Sequence, residues 1–162
     1  MRTMGIILYK HNLQAYQSLK LVLEQSGRAC VVHPTGTGKS YIGFKLCEDY
    51  PDKKFCWLSP SEYIYRTQIE NLTEDHGYEK GDDPFSNIHF CTYAKLSYLS
   101  KADLAAIAPD YIILDEFHRC GAEVWGTGVQ RLLAMYPDAK LVGLSATAIR
   151  YLDNQRDIYN NF

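Results

Sequence analysis

At 162 residues, 46% of them hydrophobic, the chain has material for one ordinary core and not for two full domains. Its 17 basic and 19 acidic side chains leave a formal charge of -2, which excludes a global positive field as the means of holding a polyanion, so any such contact must be local. Five cysteines (Cys30, Cys47, Cys56, Cys91 and Cys120) show neither a CxxC pair nor metal-ligand spacing and are expected to be reduced core thiols. The N-terminal stretch "MRTMGIILYKHN" is apolar only from Ile6 to Leu8, too briefly for a secretory signal, and no run approaches the length of a membrane span. A soluble, cytoplasmic chain with no membrane partner is therefore expected.

In chain order, apolar positions at helical spacing come first: Ala15, Leu19, Val22 and Leu23. A strand-length run "ACVVH" (Ala29 to His33) follows, then a Gly/Thr-rich loop and a second helical pattern at Ile42, Leu46 and Tyr50. Pro51 leads into the run "KFCWLS" (Lys54 to Ser59), and Pro60 separates it from a third helical pattern at Tyr65, Ile69 and Leu72. The loop "GDDPFSN" (Gly81 to Asn87) precedes "IHFCTY" (Ile88 to Tyr93), and Pro109 precedes "YIILDE" (Tyr111 to Glu116). A last helical pattern, Trp125, Val129, Leu132, Leu133 and Tyr136, ends at Pro137 before "KLVGLS" (Lys140 to Ser145). Each apolar run reads as a buried parallel strand. Strand and helix alternating in this way predict an α/β fold: an open, mostly parallel sheet with helices on both faces and its ligand at the carboxyl ends of the strands. The expected organisation is an N-terminal helical segment over 1–27, the sheet domain over 28–147 and a polar tail over 148–162.

The stretch "VVHPTGTGKSY" joins a strand to a helix through Gly36 and Gly38. Such a loop lets backbone amides turn toward phosphate oxygens at a helix start that itself favours negative charge. Thr35, Gly36, Thr37, Gly38, Lys39 and Ser40 are thus candidates for binding a nucleotide, with Lys39 reaching the terminal phosphates and the Ser40 hydroxyl holding Mg²⁺. The phosphate-loop pattern G-x-x-x-x-G-K-[ST] is met at Gly38, Lys39 and Ser40, while His33 stands in its first position. The bland alternative is a Gly/Thr-rich turn before a helix.

A second signal is "IILDEFH", where two acids close an apolar run. Burying adjacent carboxylates is costly unless a cation meets them. Asp115 is the candidate for holding Mg²⁺, and Glu116 for orienting and deprotonating an attacking water. The alternative is a solvated Asp-Glu pair at a strand end.

"PTGTGKS" (Pro34 to Ser40), "DEFH" (Asp115 to His118) and "SAT" (Ser145 to Thr147), in that order, resemble motifs I, II and III of superfamily-two helicases of the DEAD/DEAH type. "WLSPSEYIYRTQIENL" and "LDEFHRCGAEVWGTGVQRLL" resemble the bacterial group related to restriction-enzyme ATPase subunits. The resemblance spans nearly the whole chain. It implies a P-loop NTPase of RecA-like fold that binds ATP and Mg²⁺ and touches nucleic acid, DNA rather than RNA. It also implies catalytic roles for Lys39, Asp115, Glu116 and His118, the last with no role that chemistry alone assigns.

By the same resemblance, Ser59, Ser61 and Gln68, with the charge of Arg66, fall in motif Ia, and Thr92, with Lys95, in motif Ib, both of which grip the strand backbone. Ser61 as a helix cap and Thr92 as a structural strand end are the alternatives. Ser145 and Thr147 would couple nucleotide state to that grip, or else make local turn bonds. Asn12 is the candidate for the adenine edge, with Tyr9 or His11 stacking; its alternative is a helix N-cap. Gly126, Thr127 and Gly128 resemble a second glycine loop without its lysine and are expected in a closely packed helix.

In the family, ATP lies between two RecA-like domains, and arginines from the second raise the rate by roughly a thousand-fold or more. The chain is accordingly expected to be the first half of a motor, binding nucleotide with little turnover alone; Arg150 and Arg156 are poor substitutes for those arginines. The competing functions are a nucleotide-binding regulatory or scaffold module without turnover and a P-loop kinase. "DEFH" and "SAT" count against the kinase, because neither supplies a lid or an acceptor pocket.

Overall fold

The computed structural model describes residues 10–32, 39–75, 85–116 and 123–145. They form helix α1 (Lys10–Ser26), strand β1 (Arg28–Val32), α2 (Lys39–Asp49), β2 (Phe55–Ser59), α3 (Glu62–Asp75), β3 (Ile88–Thr92), α4 (Tyr93–Leu96), α5 (Lys101–Ile107), β4 (Tyr111–Asp115), α6 (Glu123–Met135) and β5 (Lys140–Ser145). The strands make one parallel sheet in the order β1-β5-β4-β2-β3. All five expected apolar runs are strands, each within a residue of its sequence bounds at either end.

Side chains of a strand point alternately to opposite faces, and this period divides the core in two. Phe55 and Trp57 of β2, Tyr111 and Ile113 of β4, and Val142 and Leu144 of β5 pack with α1, α2 and α3. The intervening Cys56, Leu58, Ile112, Leu114 and Leu141 pack with α4, α5 and α6 on the other face. Strands β2 and β4 are buried at every position, as central strands must be when helices cover both faces. The outer strands differ from expectation. Cys30 of β1 is exposed, so it is not a core thiol, and β3 is buried only at Cys91, because an edge strand has a neighbour on one side alone. Cys47, Cys56 and Cys91 are buried, and burial pushes the Cys56 thiol up to about 12.

The face of α1 also departs slightly from its reading. Asn12, Tyr16, Leu19 and Leu23 are buried at i, i+4, i+7 and i+11, whereas Val22 is 41% exposed. The Tyr16 hydroxyl donates to Asp49, tying α1 to the end of α2. Helix α2 is buried on most sides and lies so close to the sheet that a Cβ on Gly43 would come within 2.7 Å of the Trp57 ring. In α6, Gly128 plays a similar part: a Cβ there would meet the Ser97 backbone at 3.3 Å, which bears out the expected close helix packing.

Two elements had no counterpart in the apolar pattern. Helix α4 opens on Thr92, whose hydroxyl accepts from Lys95 N, and α5 opens on a capping box of Ser100 and Asp103.

Candidate functional site

Four of the strands end on residues singled out by the sequence: Ser59 on β2, Thr92 on β3, Asp115 on β4 and Ser145 on β5. The pairing is in register, with Val32 beside Ser145, Asp115 beside Leu144 and Ser59 beside Thr92. These ends therefore form one edge of the sheet. From the end of β1 to the end of β4 is two strand spacings, about 10 Å. Helix α2 begins seven residues after β1, at Lys39, with no acidic residue in its first turn. Its free amides and its dipole favour an anion there.

Ser40, 8% exposed in that first turn, accepts a hydrogen bond at its Oγ from Gln68 Nε2 of α3 at 2.9 Å. Gln68 Oε1 is buried and has no hydrogen-bond partner. Asp115 is 1% exposed at the end of β4. Its backbone carbonyl accepts from the buried Tyr93 hydroxyl at 2.7 Å. The next residue, Glu116, is only partly buried and has φ of 52°, a left-handed conformation that a side chain other than glycine seldom adopts. Such strain persists where the surroundings impose it, and here Tyr93 holds the carbonyl just before it.

The oxygen donors suit the expected ligands. A serine hydroxyl and a buried carboxylate are hard ligands of the kind Mg²⁺ takes, and neither competes for softer metals. On α1, Asn12 is the one polar member of a buried apolar face, 3% exposed, and its Oδ1 has no hydrogen-bond partner. It lies inside the helix, two residues past Lys10, rather than in a capping position.

The remaining candidates divide. Ser59 is fully buried, and its Oγ bonds with the backbone N and O of Ser61 at 3.4 Å, which takes it out of reach of a strand and gives it a turn-shaping role. Ser61 accepts from Ile64 N at 3.3 Å and so caps α3, while remaining partly open to solvent. Arg66 is exposed and pairs with Glu62 at 2.7 Å. Gln68 turns toward Ser40 rather than toward an open face. Ser145 is fully buried. The Lys39 side chain, Tyr9, the His11 side chain, Thr35, Gly36, Thr37, Gly38, His118, Thr147, Arg150 and Arg156 lie outside the described residues. Tyr93 escaped the sequence reading because a tyrosine after a strand is ordinarily packing; only the fold brings it to Asp115.

The model of the type III restriction enzyme res subunit family matches residues 5–150. The chain belongs to that family. As a res-subunit relative it is a helicase-family ATPase domain, with the RecA-like fold of the first domain of superfamily-two helicases. Solved structures agree on this fold. The ATP-dependent type ISP restriction-modification enzyme LlaBIII bound to DNA matches at 17% identity and TM-score 0.67, over 94% of this chain and 14% of its own. The Escherichia coli DEAH/RHA helicase HrpB matches at 24% identity and TM-score 0.65, over 88% of this chain and 20% of its own. A Sulfolobus solfataricus SWI2/SNF2 ATPase core in complex with double-stranded DNA matches at 12% identity and TM-score 0.62, over 90% and 33%. The chain thus spans a third or less of each of these three chains. No curated protein matches it in sequence. Among the described residues, no helix is long and apolar enough to cross a membrane.

Proposed function

We propose that the chain is the ATP-binding first motor domain of a nucleic-acid-dependent ATPase, a helicase or translocase that acts on DNA in the cytoplasm. The observation that carries this reading is the shared edge of the sheet, where Asp115 ends β4 and the chain leaves β1 for the first turn of α2. Family membership and the motifs "PTGTGKS", "DEFH" and "SAT" support it. DNA is favoured because restriction enzymes act on it and because two of the similar structures are described with DNA, although another similar structure, at 21% identity and TM-score 0.58, is described as a hypothetical ATP-dependent RNA helicase from Sulfolobus tokodaii.

In this reading the domain proper runs over 28–147, with the segment 1–27 serving the base and 148–162 leading onward. The loop Thr35 to Gly38 and Lys39 bind the phosphates, and Ser40 and Asp115 hold Mg²⁺, which when bound neutralises charge on the phosphate oxygens. Glu116 orients the attacking water and takes its proton. Asp115 is buried while Glu116, on a left-handed backbone, is partly open, so that the adjacent acids serve different tasks. Asn12 offers its Oδ1 to the adenine amino group. Ser61, Arg66 and Thr92 meet the nucleic-acid backbone, Ser145 and Thr147 relay the nucleotide state, His118 belongs to the catalytic motif with Asp115 and Glu116, and a second RecA-like domain completes the site.

ATP hydrolysis by the full-length protein, with and without single-stranded DNA, tests the reading. DNA should stimulate turnover. Glu116→Gln should lower it about a hundred-fold or more, the scale of a lost general base, while Mg-ADP still binds. Turnover that survives this substitution would refute the assignment, and turnover indifferent to any nucleic acid would refute the motor.

A further inference from the structure

The bond between Gln68 and Ser40 joins two elements that the sequence reading assigned to different ligands. Gln68 stands on α3, 28 residues from Ser40, and its Nε2 donates to the serine Oγ at 2.9 Å. A hydroxyl has one proton and two lone pairs. With one lone pair engaged by the amide, the second remains for a hard cation, and the hydroxyl is held from rotating away. The other end of the same amide is equally telling: Oε1 is buried and accepts nothing. An orphaned amide oxygen next to a hydroxyl in the first turn of a helix is the type of acceptor to which a metal-bound water donates. Glutamine is neutral, so it can do this without competing as a charged ligand.

We propose that Gln68 is a positioning residue for the metal site: its amide nitrogen fixes the Ser40 hydroxyl, and its amide oxygen receives a water of the Mg²⁺ shell. The inference rests on the Mg-nucleotide reading of this edge. It removes Gln68 from the strand-gripping set and makes α3 a member of the nucleotide site. The helix that Ser61 caps is then tied, two turns along, to the metal ligand itself.

Mg²⁺ titrations of the ADP-bound chain test the assignment. Gln68→Met keeps the length and neutrality of the side chain and removes both polar ends. ADP affinity in the presence of a chelator should stay unchanged, while the Mg²⁺ concentration at half-saturation should rise about five-fold, the scale of one lost hydrogen bond. In a Ser40→Ala background the same substitution should add less than it does alone, since much of its effect passes through the missing hydroxyl. An unchanged Mg²⁺ half-saturation, equal weakening of ADP with and without Mg²⁺, or full additivity with Ser40→Ala would each overturn the proposal. Should the variant fail to fold, the unaltered ¹⁵N-labelled chain decides: the Gln68 side-chain amide signals should shift when Mg²⁺ joins bound ADP, and a lack of shift would overturn it. Failure of the underlying reading looks different, because the unaltered chain would then bind no Mg-ADP.

Discussion

Tyr93 shows how a single buried hydroxyl reaches a strand end two strands away. Its bond to the Asp115 carbonyl, 2.7 Å long, anchors the peptide that leads into the left-handed Glu116. A left-handed non-glycine residue costs on the order of 1 kcal/mol, so the strand end relaxes if that anchor is lost. Tyr93→Phe should therefore lower turnover of the full-length protein about ten-fold, with Mg-ADP affinity kept within two-fold and stability reduced by about 1 kcal/mol. A parallel loss of affinity would mean that Tyr93 supports the whole edge rather than Glu116. At this scale the sequence was legible where chemistry is written in residue type. Asp115 and Ser40 were nominated by type and spacing, and both lie at the edge. It was illegible where the role depends on a partner far along the chain, as for Tyr93 and Gln68. Ser59 was nominated through the motif Ia resemblance, which carries no sign that a residue ending a central strand beneath a helix start is buried.

Helix α2 sits against the sheet through Gly43, and that contact explains why its apolar surface extends nearly all round. Gly43→Ala would drive a methyl to 2.7 Å from the Trp57 ring, which is itself stacked on Phe44 at 4.3 Å, so neither ring can yield freely. The expected cost is about 1–3 kcal/mol, read from denaturant unfolding. The end of α2 is closed by Asn87, whose Nδ2 lies 3.1 Å from Cys47 O and 3.2 Å from both Tyr50 O and Lys53 O. Nothing in the loop "GDDPFSN" announces this task, because the carbonyls it serves are some 34 to 40 residues earlier.

Helix α5 was missed for a different reason. Only Leu104 and Ile107 of its seven residues are buried, a single i, i+3 pair, too little for periodicity to register. Its signature is the cap. The Ser100 backbone N–H, and then its hydroxyl, hold the Asp103 carboxyl below the usual carboxylate range. A group whose pKa is lower folded than unfolded stabilises fully above its unfolded value, and that stabilisation is lost as pH falls through the folded value. Asp103→Asn should thus lower the melting temperature at neutral pH and make little difference in acid below the carboxylate range. A difference that persists in acid would assign the effect to packing instead.

Across the whole molecule, the alternation of apolar runs and helical patterns sufficed for the architecture, since helices on both faces of a parallel sheet leave few other arrangements. What the pattern left open was strand order. Placing β5 between β1 and β4 is a long-range choice made by packing, and it separates the end of β1 from the end of β4 by one strand. A run of apolar letters predicts a buried strand whether or not it lies at an edge, because it carries no sign of how many neighbours the strand will have.

On the proposed reading, the carboxyl edge of β1, β5 and β4 holds a divalent cation on a nucleotide. Paramagnetic broadening of backbone amide signals, with Mn²⁺ replacing Mg²⁺ on bound ADP, locates that cation. Broadening is expected to be far stronger at Ser40, Asp115 and Ser145 than at Arg28, Tyr111 and Lys140, the first residues of β1, β4 and β5. Broadening at the opposite edge, or none with ADP at saturation, would contradict the account.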